Sequence, residues 1–466
     1  MKTTGERSWL IRAIALLLAI TITSSAVLYV QTGTTVRSSD YANRSEALAL
    51  EQLLASGNYA NASRLERMGY LLREAIAGKK TPEDYDIAAQ RAISRGEYET
   101  AAEDMEVALL LMDENDPARA GLETRLGLLY TLSGSYEDAY TWLSKNIESA
   151  DSAPIRLARA QVSLNLDDVP GAMSDLNAYL EAVGGLDGAE EMLPNIVNIY
   201  LAAEDYETAL ECYNRMLAKE ENTDSLLGRA YCLARLGRLE EAEQDRAGYE
   251  AAGGKELAQA DVFLGLAWMK NGDFTKAAAY FQKADDEQYP SPETLSYYRM
   301  ICGYSSGDYR QAADSGDRLT AILNADGTVA LQEVEVENET GLTRVKARDI
   351  PGAEVCRVTG ASHLALAEYE TAVASLTKGI DTGDTDPYAH YLRGSALLAL
   401  GRFETALSDF DAAVSAECET EKSRFNRAVC LYALHREEAK DDLNWVLQNG
   451  TDPALRQEAA ALLGNE

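Results

Sequence analysis

One stretch of this sequence has the spacing of a nucleophile elbow, Gly303-Tyr304-Ser305-Ser306-Gly307. In that motif a strand before and a helix after hold the serine on a strained turn, exposed to a histidine base. Here the residues before the motif read as a helix. The chain holds three histidines, His363, His390 and His435, far from the serine in sequence and from one another. No alternating strand–helix pattern surrounds them, so acyl-transfer chemistry is not expected and no catalytic residue is assigned. His363 reads as a packed side chain. The acidic run Asp381-Thr382-Gly383-Asp384-Thr385-Asp386 could approach a calcium ion, but it lacks the downstream bidentate glutamate and ligand order of an EF-hand. It reads as a solvated loop and a helix cap before Pro387. The cysteines Cys212, Cys232, Cys302, Cys356, Cys418 and Cys430 include no CxxC pair, which removes zinc-ribbon and thioredoxin readings. Three of them, Cys232, Cys302 and Cys430, share a helix-packing position, where buried free thiols are common. Disulfides stay open for a domain outside the cell. With no phosphate loop or dinucleotide fingerprint either, neither a cofactor nor a metal is expected, and no small-molecule substrate is evident.

What positions these residues is a repeated phrase. It occurs as Gly96-Glu97-Tyr98-Glu99-Thr100-Ala101, Gly134-Ser135-Tyr136-Glu137-Asp138-Ala139, Gly272-Asp273-Phe274-Thr275-Lys276-Ala277 and Gly401-Arg402-Phe403-Glu404-Thr405-Ala406. Its final alanine is a marker: Ala62, Ala101, Ala139, Ala172, Ala209, Ala242, Ala277, Ala312, Ala372, Ala406 and Ala439. The steps run from 33 to 39 residues, apart from one of 60 between Ala312 and Ala372. Twelve positions before the marker stands a second small residue: Ala89, Gly127, Ala160, Ala230, Gly265, Gly360 or Gly394. Ala428 stands eleven before its marker, because that repeat has lost one turn residue at Leu434-His435-Arg436. Two small residues on either side of a glycine or polar turn are what two antiparallel helices need to approach closely. The phrase thereby claims Gly307 as a turn glycine. Val197 and Met300 replace the first small residue in two repeats, and Asp167-Asp168-Val169 and Glu204-Asp205-Tyr206 replace the turn phrase in two. These departures are expected to loosen packing locally without breaking the period.

A helix–turn–helix of about 34 residues with this small–aromatic–small pattern resembles the tetratricopeptide repeat. The best single match runs through Gly265, Trp268, Gly272, Phe274, Ala277, Phe281 and Ala284. The resemblance covers residues 40–450 and implies about eleven repeats in an all-α, right-handed solenoid. Residues 451–466 are expected to add a C-terminal capping helix, since arrays need a polar outer face at their ends. The 60-residue step isolates 324–352, where Val and Thr enrichment around a turn-like centre suggests a β-hairpin insertion.

At the N-terminus, residues 1–8 form a short basic tail and 9–30 are almost wholly apolar. About 20 residues at about 1.5 Å each cross a bilayer core. Lys2, Arg7 and Arg12 precede or open the segment, which by the positive-inside rule places the N-terminus in the cytoplasm and everything after linker 31–39 outside. The rival is a signal peptide cleaved near Ala26. Both readings export the body. Formal net charge is −33; Lys2, Arg7, Arg12 and Arg37 against Glu6 give residues 1–37 a charge of +3 and leave −36 for the rest. Such a body repels phosphate backbones, so nucleic acid is not an expected partner.

What the resemblance implies about function is protein or peptide binding. In that family the first helices line a concave groove that takes an extended or helical peptide. On this register the groove positions are Asn195, Asn198, Tyr231, Arg235, Lys270 and Ser395. An asparagine can hold a ligand backbone through both donor and acceptor, and Arg235 and Lys270 form a basic spot in an acidic wall. The two-lysine, two-asparagine, one-arginine clamp that some members use for a terminal carboxylate is not assembled. The expectation is a non-catalytic scaffold displayed outside the cytoplasmic membrane. The alternative is an envelope-enzyme accessory or wall-binding protein acting through 324–352.

Overall fold

The computed structural model describes residue 78 and residues 80–113, 115–147, 153–220, 222–334 and 345–464. The expected anchor at 9–30 and the first repeat around Ala62 lie outside them. Among the described residues no helix is long and apolar enough to cross a membrane.

Two compact units divide the described residues at 222/223. The first contains α1 (Pro82–Ser94), α2 (Tyr98–Leu111), α3 (Arg119–Ser133), α4 (Tyr136–Ser144), α5 (Ala153–Asn165), α6 (Val169–Val183), α7 (Leu193–Ala202) and α8 (Tyr206–Lys219), with a 3-10 segment, Leu186–Met192, before α7. The second contains α9 (Thr223–Arg235), α10 (Leu239–Ala251), α11 (Leu257–Asn271), α12 (Phe274–Asp286), α13 (Pro292–Ser306), α14 (Tyr309–Ala321), β1 (Thr328–Val334), β2 (Val345–Pro351), α15 (Gly352–Ala365), α16 (Tyr369–Asp381), α17 (Pro387–Ala399), α18 (Phe403–Ser415), α19 (Thr420–Ala433), α20 (Ala439–Asn449) and α21 (Pro453–Gly464). From α1 to α20 the helices form ten consecutive pairs, each joined by one tight turn.

Each turn is made the same way. The residue five before the marker takes the left-handed region in Gly96, Gly134, Gly237, Gly272, Gly307 and Gly401, with φ between +71° and +88°. Asp167, Glu204 and Ala367 adopt it too, at φ +60°, +56° and +60°. His435 does so one residue later, at φ +56°, in the repeat that lost a turn residue. So the loss of glycine leaves the turn intact, at a cost of about 1–2 kcal/mol for a side chain in that region. The next residue often caps the second helix: Asp168, Asp205, Asp273 and Asp308 each accept the amide of the residue three further on.

Within a pair, the first small residue faces the side chain four after the marker. A Cβ built on Gly265 would lie 2.7 Å from the Phe281 ring, and one on Gly127 would lie 2.7 Å from Leu143. Gly360 meets Leu376 and Gly394 meets Phe410 in the same way. Phe281, Phe410, Leu143 and Leu376 are fully buried. Where Met300 replaces the small residue, the close approach moves one turn along, to Gly303, whose Cβ would lie 2.8 Å from the Ala312 amide nitrogen.

A second recurring contact ties the pairs. Arg159, Arg229 and Arg393 stand thirteen before their markers, and Asp175, Asp245 and Asp409 three after. Each arginine forks onto its aspartate through two bonds of 2.7–2.8 Å. Arg427 and Asp442 repeat the fork in the shortened pair, at 2.6 and 2.8 Å. These aspartates are buried.

The 324–352 segment supplies β1 and β2, paired antiparallel from Thr328↔Pro351 to Val334↔Val345. Val329, Leu331 and Ile350 pack into the core of the second unit with Leu295, Leu319 and Val355, while Ala330 and Gln332 face outward. The Thr294 hydroxyl on α13 accepts the Gln332 amide (3.1 Å) and donates to its carbonyl (3.0 Å), closing part of the β1 edge.

Three outcomes follow for equilibrium denaturation. Gly265→Val forces atoms into the Phe281 ring and is expected to lower stability by about 1–3 kcal/mol. Ala367→Gly relieves a left-handed alanine and is expected to raise it by about 1 kcal/mol. Asp409→Ala strands Arg393 and is expected to cost about 3 kcal/mol, whereas replacing both residues by leucine costs much less.

Candidate docking surface

The elbow-like motif dissolves in the fold. Gly303 is the close-packing residue of α13 and Gly307 its left-handed cap. The Ser306 hydroxyl donates to the Gly303 carbonyl at 3.2 Å. Ser305 is exposed and, with Asn271, Asp273 and Phe274, borders an open polar depression of about 450 Å³. The histidines are engaged elsewhere. His363 is buried, with Nδ1 2.7 Å from Glu368 and Nε2 3.2 Å from Asp317. His390 sits 2.8 Å from Asp409, and His435 is an exposed turn residue.

The acidic run is held by an arginine. Arg357 reaches both oxygens of Asp384 at 2.6 and 2.8 Å, and Asp386 caps α17 through the Tyr388 amide. Among the described residues no group of three or more His, Cys, Asp or Glu is placed to hold a metal. All six cysteines are free, and all but Cys418 are buried. Burial pushes the thiols of Cys212, Cys302 and Cys430 up to about 12 and that of Cys356 to about 11, so they remain neutral and unreactive.

The six groove positions fall into different settings. Asn195 and Asn198 lie on α7, which is buried along most of its length, and are 4% and 5% exposed. The Asn198 carboxamide donates to its own helix, to the Pro194 carbonyl at 3.2 Å. Both asparagine oxygens are buried without a partner among the described residues. Both side chains are therefore buried in the first unit. In the second unit the Arg235 guanidinium donates to the Tyr231 hydroxyl at 3.1 Å, and Tyr231 meets Phe263 edge-on at 5.5 Å. Arg235 and Lys270 are exposed at the last turns of α9 and α11. The Ser395 hydroxyl is turned onto the Tyr391 carbonyl at 2.8 Å. The structure thus joins Tyr231 with Arg235 and leaves Ser395 apart from them on α17.

A different set of side chains lines the first helices. Tyr304, Leu364 and Leu398 each stand eight before a marker, and Tyr432 holds the equivalent place in the shortened pair. All four are half-buried. Tyr304, Leu364, Tyr388 and Tyr391 pack around one buried cluster, Ala361, Leu376 and Leu392. Tyr391 also borders the next cluster with Leu398 and Tyr432. Tyr388 and Tyr391 stack at 5.7 Å. The same register rule that picked the polar positions covers this row, but only burial separates a half-exposed tyrosine from a core one.

Comparison with known proteins follows the same lines. A tetratricopeptide repeat model matches residues 195–256, 246–292, 359–422 and 391–440. No curated protein sequence matches the chain significantly. Among solved structures it is similar to a tetratricopeptide repeat protein from Parabacteroides merdae, at 16% identity over 68% of this chain and 98% of that one, TM-score 0.27. It is also similar to the C-terminal part of a repeat-containing protein from Cytophaga hutchinsonii, at 15% identity over 57% and 98%, TM-score 0.37. A third is the TPR2AB domain of yeast Sti1 in complex with pHSP90, at 18% identity over 59% and 97%, TM-score 0.26. The repeat matches make residues 195–292 and 359–440 tetratricopeptide-like, and the same left-handed turn recurs in all ten helix pairs from α1 to α20.

Proposed function

We propose that this protein is a non-catalytic scaffold that docks a protein or peptide along the first helices of its repeats. The observation that carries this reading is the regular stacking itself. Within each of the two units, helix pairs built on one turn hold successive first helices in register. Stacked repeats of this kind bury a continuous core and leave an extended face for binding. The chemistry-bearing residues point the same way, since the histidines serve a turn or ion pairs, five of the six cysteines are buried, and Asp384 and Asp386 serve an ion pair and a cap.

The apolar segment at 9–30 anchors the body outside the cytoplasmic membrane, or directs its secretion with cleavage near Ala26. An array of about eleven repeats, the first lying around Ala62, follows the linker. The acidic body selects against nucleic acid and favours partners of opposite charge.

The test uses a photo-crosslinking residue at Arg235 or Lys270 of the full chain, on intact cells with protease added outside. The expected result is one defined protein adduct, with the body digested by external protease. Adducts to wall glycan alone would favour action as a wall-binding protein, and protection of the body from protease would contradict export.

A further inference from the structure

The open depression beside Ser305 lies where other pairs carry an apolar side chain. In the second unit the residue six before the marker is a half-buried leucine in four of the six helix pairs: Leu236, Leu366, Leu400 and, shifted by one, Leu434. The two exceptions are neighbours, Asn271 in α11 and Ser306 in α13, and both are exposed. They line the depression of about 450 Å³ together with Asp273, Phe274, Thr275 and Ser305. Two polar side chains thus stand where leucine stands elsewhere, and the surface between them is recessed. Its volume lies within the roughly 300–1,000 Å³ of small-molecule sites.

The lining selects one kind of ligand. The side chains of Asn271, Thr275 and Ser305 make no hydrogen bond to any described residue. Asp273 spends Oδ1 on the Lys276 amide at 2.9 Å and keeps Oδ2, while the Ser306 hydroxyl donates to the Gly303 carbonyl and keeps its acceptor lone pairs. Hydroxyls, a carboxamide and a carboxylate side by side both give and accept hydrogen bonds. Among the described residues no lysine or arginine lines the recess, and Asp273 repels anions, so phosphate and carboxylate ligands are disfavoured. An apolar ligand would cover the polar groups without pairing them. Phe274, half-buried against the core, is the one aromatic side chain in the lining. A ring with adjacent hydroxyls on its edge and C–H groups on its face satisfies both kinds of lining. We infer that this depression binds a neutral mono- or disaccharide, its hydroxyls on Asn271, Asp273 and Ser305 and a C–H face on Phe274. The inference does not depend on the scaffold reading, because the site is built from the turns at the ends of α11 and α13.

The experiment records saturation-transfer difference NMR of the full-length chain with glucose, maltose, cellobiose and N,N′-diacetylchitobiose in turn. At least one of these neutral sugars is expected to bind, in the millimolar range for so open a site. Glucose 6-phosphate, an anionic sugar, is expected not to bind. The double variant Asn271→Leu/Ser306→Leu gives α11 and α13 the residue that the other four pairs carry, and is expected to keep its helical content and weaken binding about tenfold or more. Ser305→Ala removes one exposed hydroxyl and is expected to weaken binding about fivefold, which provides an independent variant should the double variant misfold. Absence of saturation transfer to all four neutral sugars, equal binding of glucose 6-phosphate, or binding unmoved by both variants would overturn the inference. Protein crosslinking at Arg235 succeeds or fails separately from these results, so the scaffold reading is judged on its own.

Discussion

The structure depends on one steric constraint: where glycine stands twelve before the marker, the two helices of a pair approach until it meets the side chain four after the marker. At Gly265 there is room for the Phe281 ring and for nothing more. That contact sets the distance between the helices, which sets the span of the turn, which in turn demands a left-handed residue. Each repeat repeats the solution, so the period of the sequence is the period of the packing. The Arg–Asp forks act on the same distance from the polar side. Each one buries a carboxylate whose partner reaches it only when the helices are correctly paired, which penalises slippage.

The seventh pair, α13 and α14, shows that the constraint concerns distance and not a particular residue. Met300 fills the place of the small residue, its sulfur taking a weak bond from Thr359 on α15. The close approach reappears at Gly303 instead. This displacement created the resemblance to a nucleophile elbow: one glycine serves the packing, the other the turn, and the serine between them is left exposed. The spacing that imitates catalytic chemistry is a product of packing.

Much of the fold was legible because the repeat phrase encodes short-range geometry. Turn glycines, caps and the small-residue register can be recognised within a dozen residues. The turns at Asp167, Glu204, Ala367 and His435 were less legible, since stacking imposes a conformation that local preference disfavours. The docking surface was harder still. Asn198 stands at a groove position by register, yet α7 is enclosed on nearly every side and the carboxamide turns back on its own helix. The Arg–Asp forks join residues sixteen apart, or fifteen in the shortened pair, whose pairing appears only once two helices are laid side by side. Likewise Tyr304, Leu364, Leu398 and Tyr432 look like core residues in the sequence. They become a surface only when the stacking leaves each of them half covered.

The central claim is that ligands dock on the first helices of the repeats. Hydrogen–deuterium exchange of the full-length chain, with and without the protein captured by crosslinking at Arg235 or Lys270, tests it most directly. The account predicts added protection in first helices such as α9 and α11, little change in second helices such as α10 and α12, and none in β1 and β2. Protection confined to β1 and β2, or to the second helices, would contradict it.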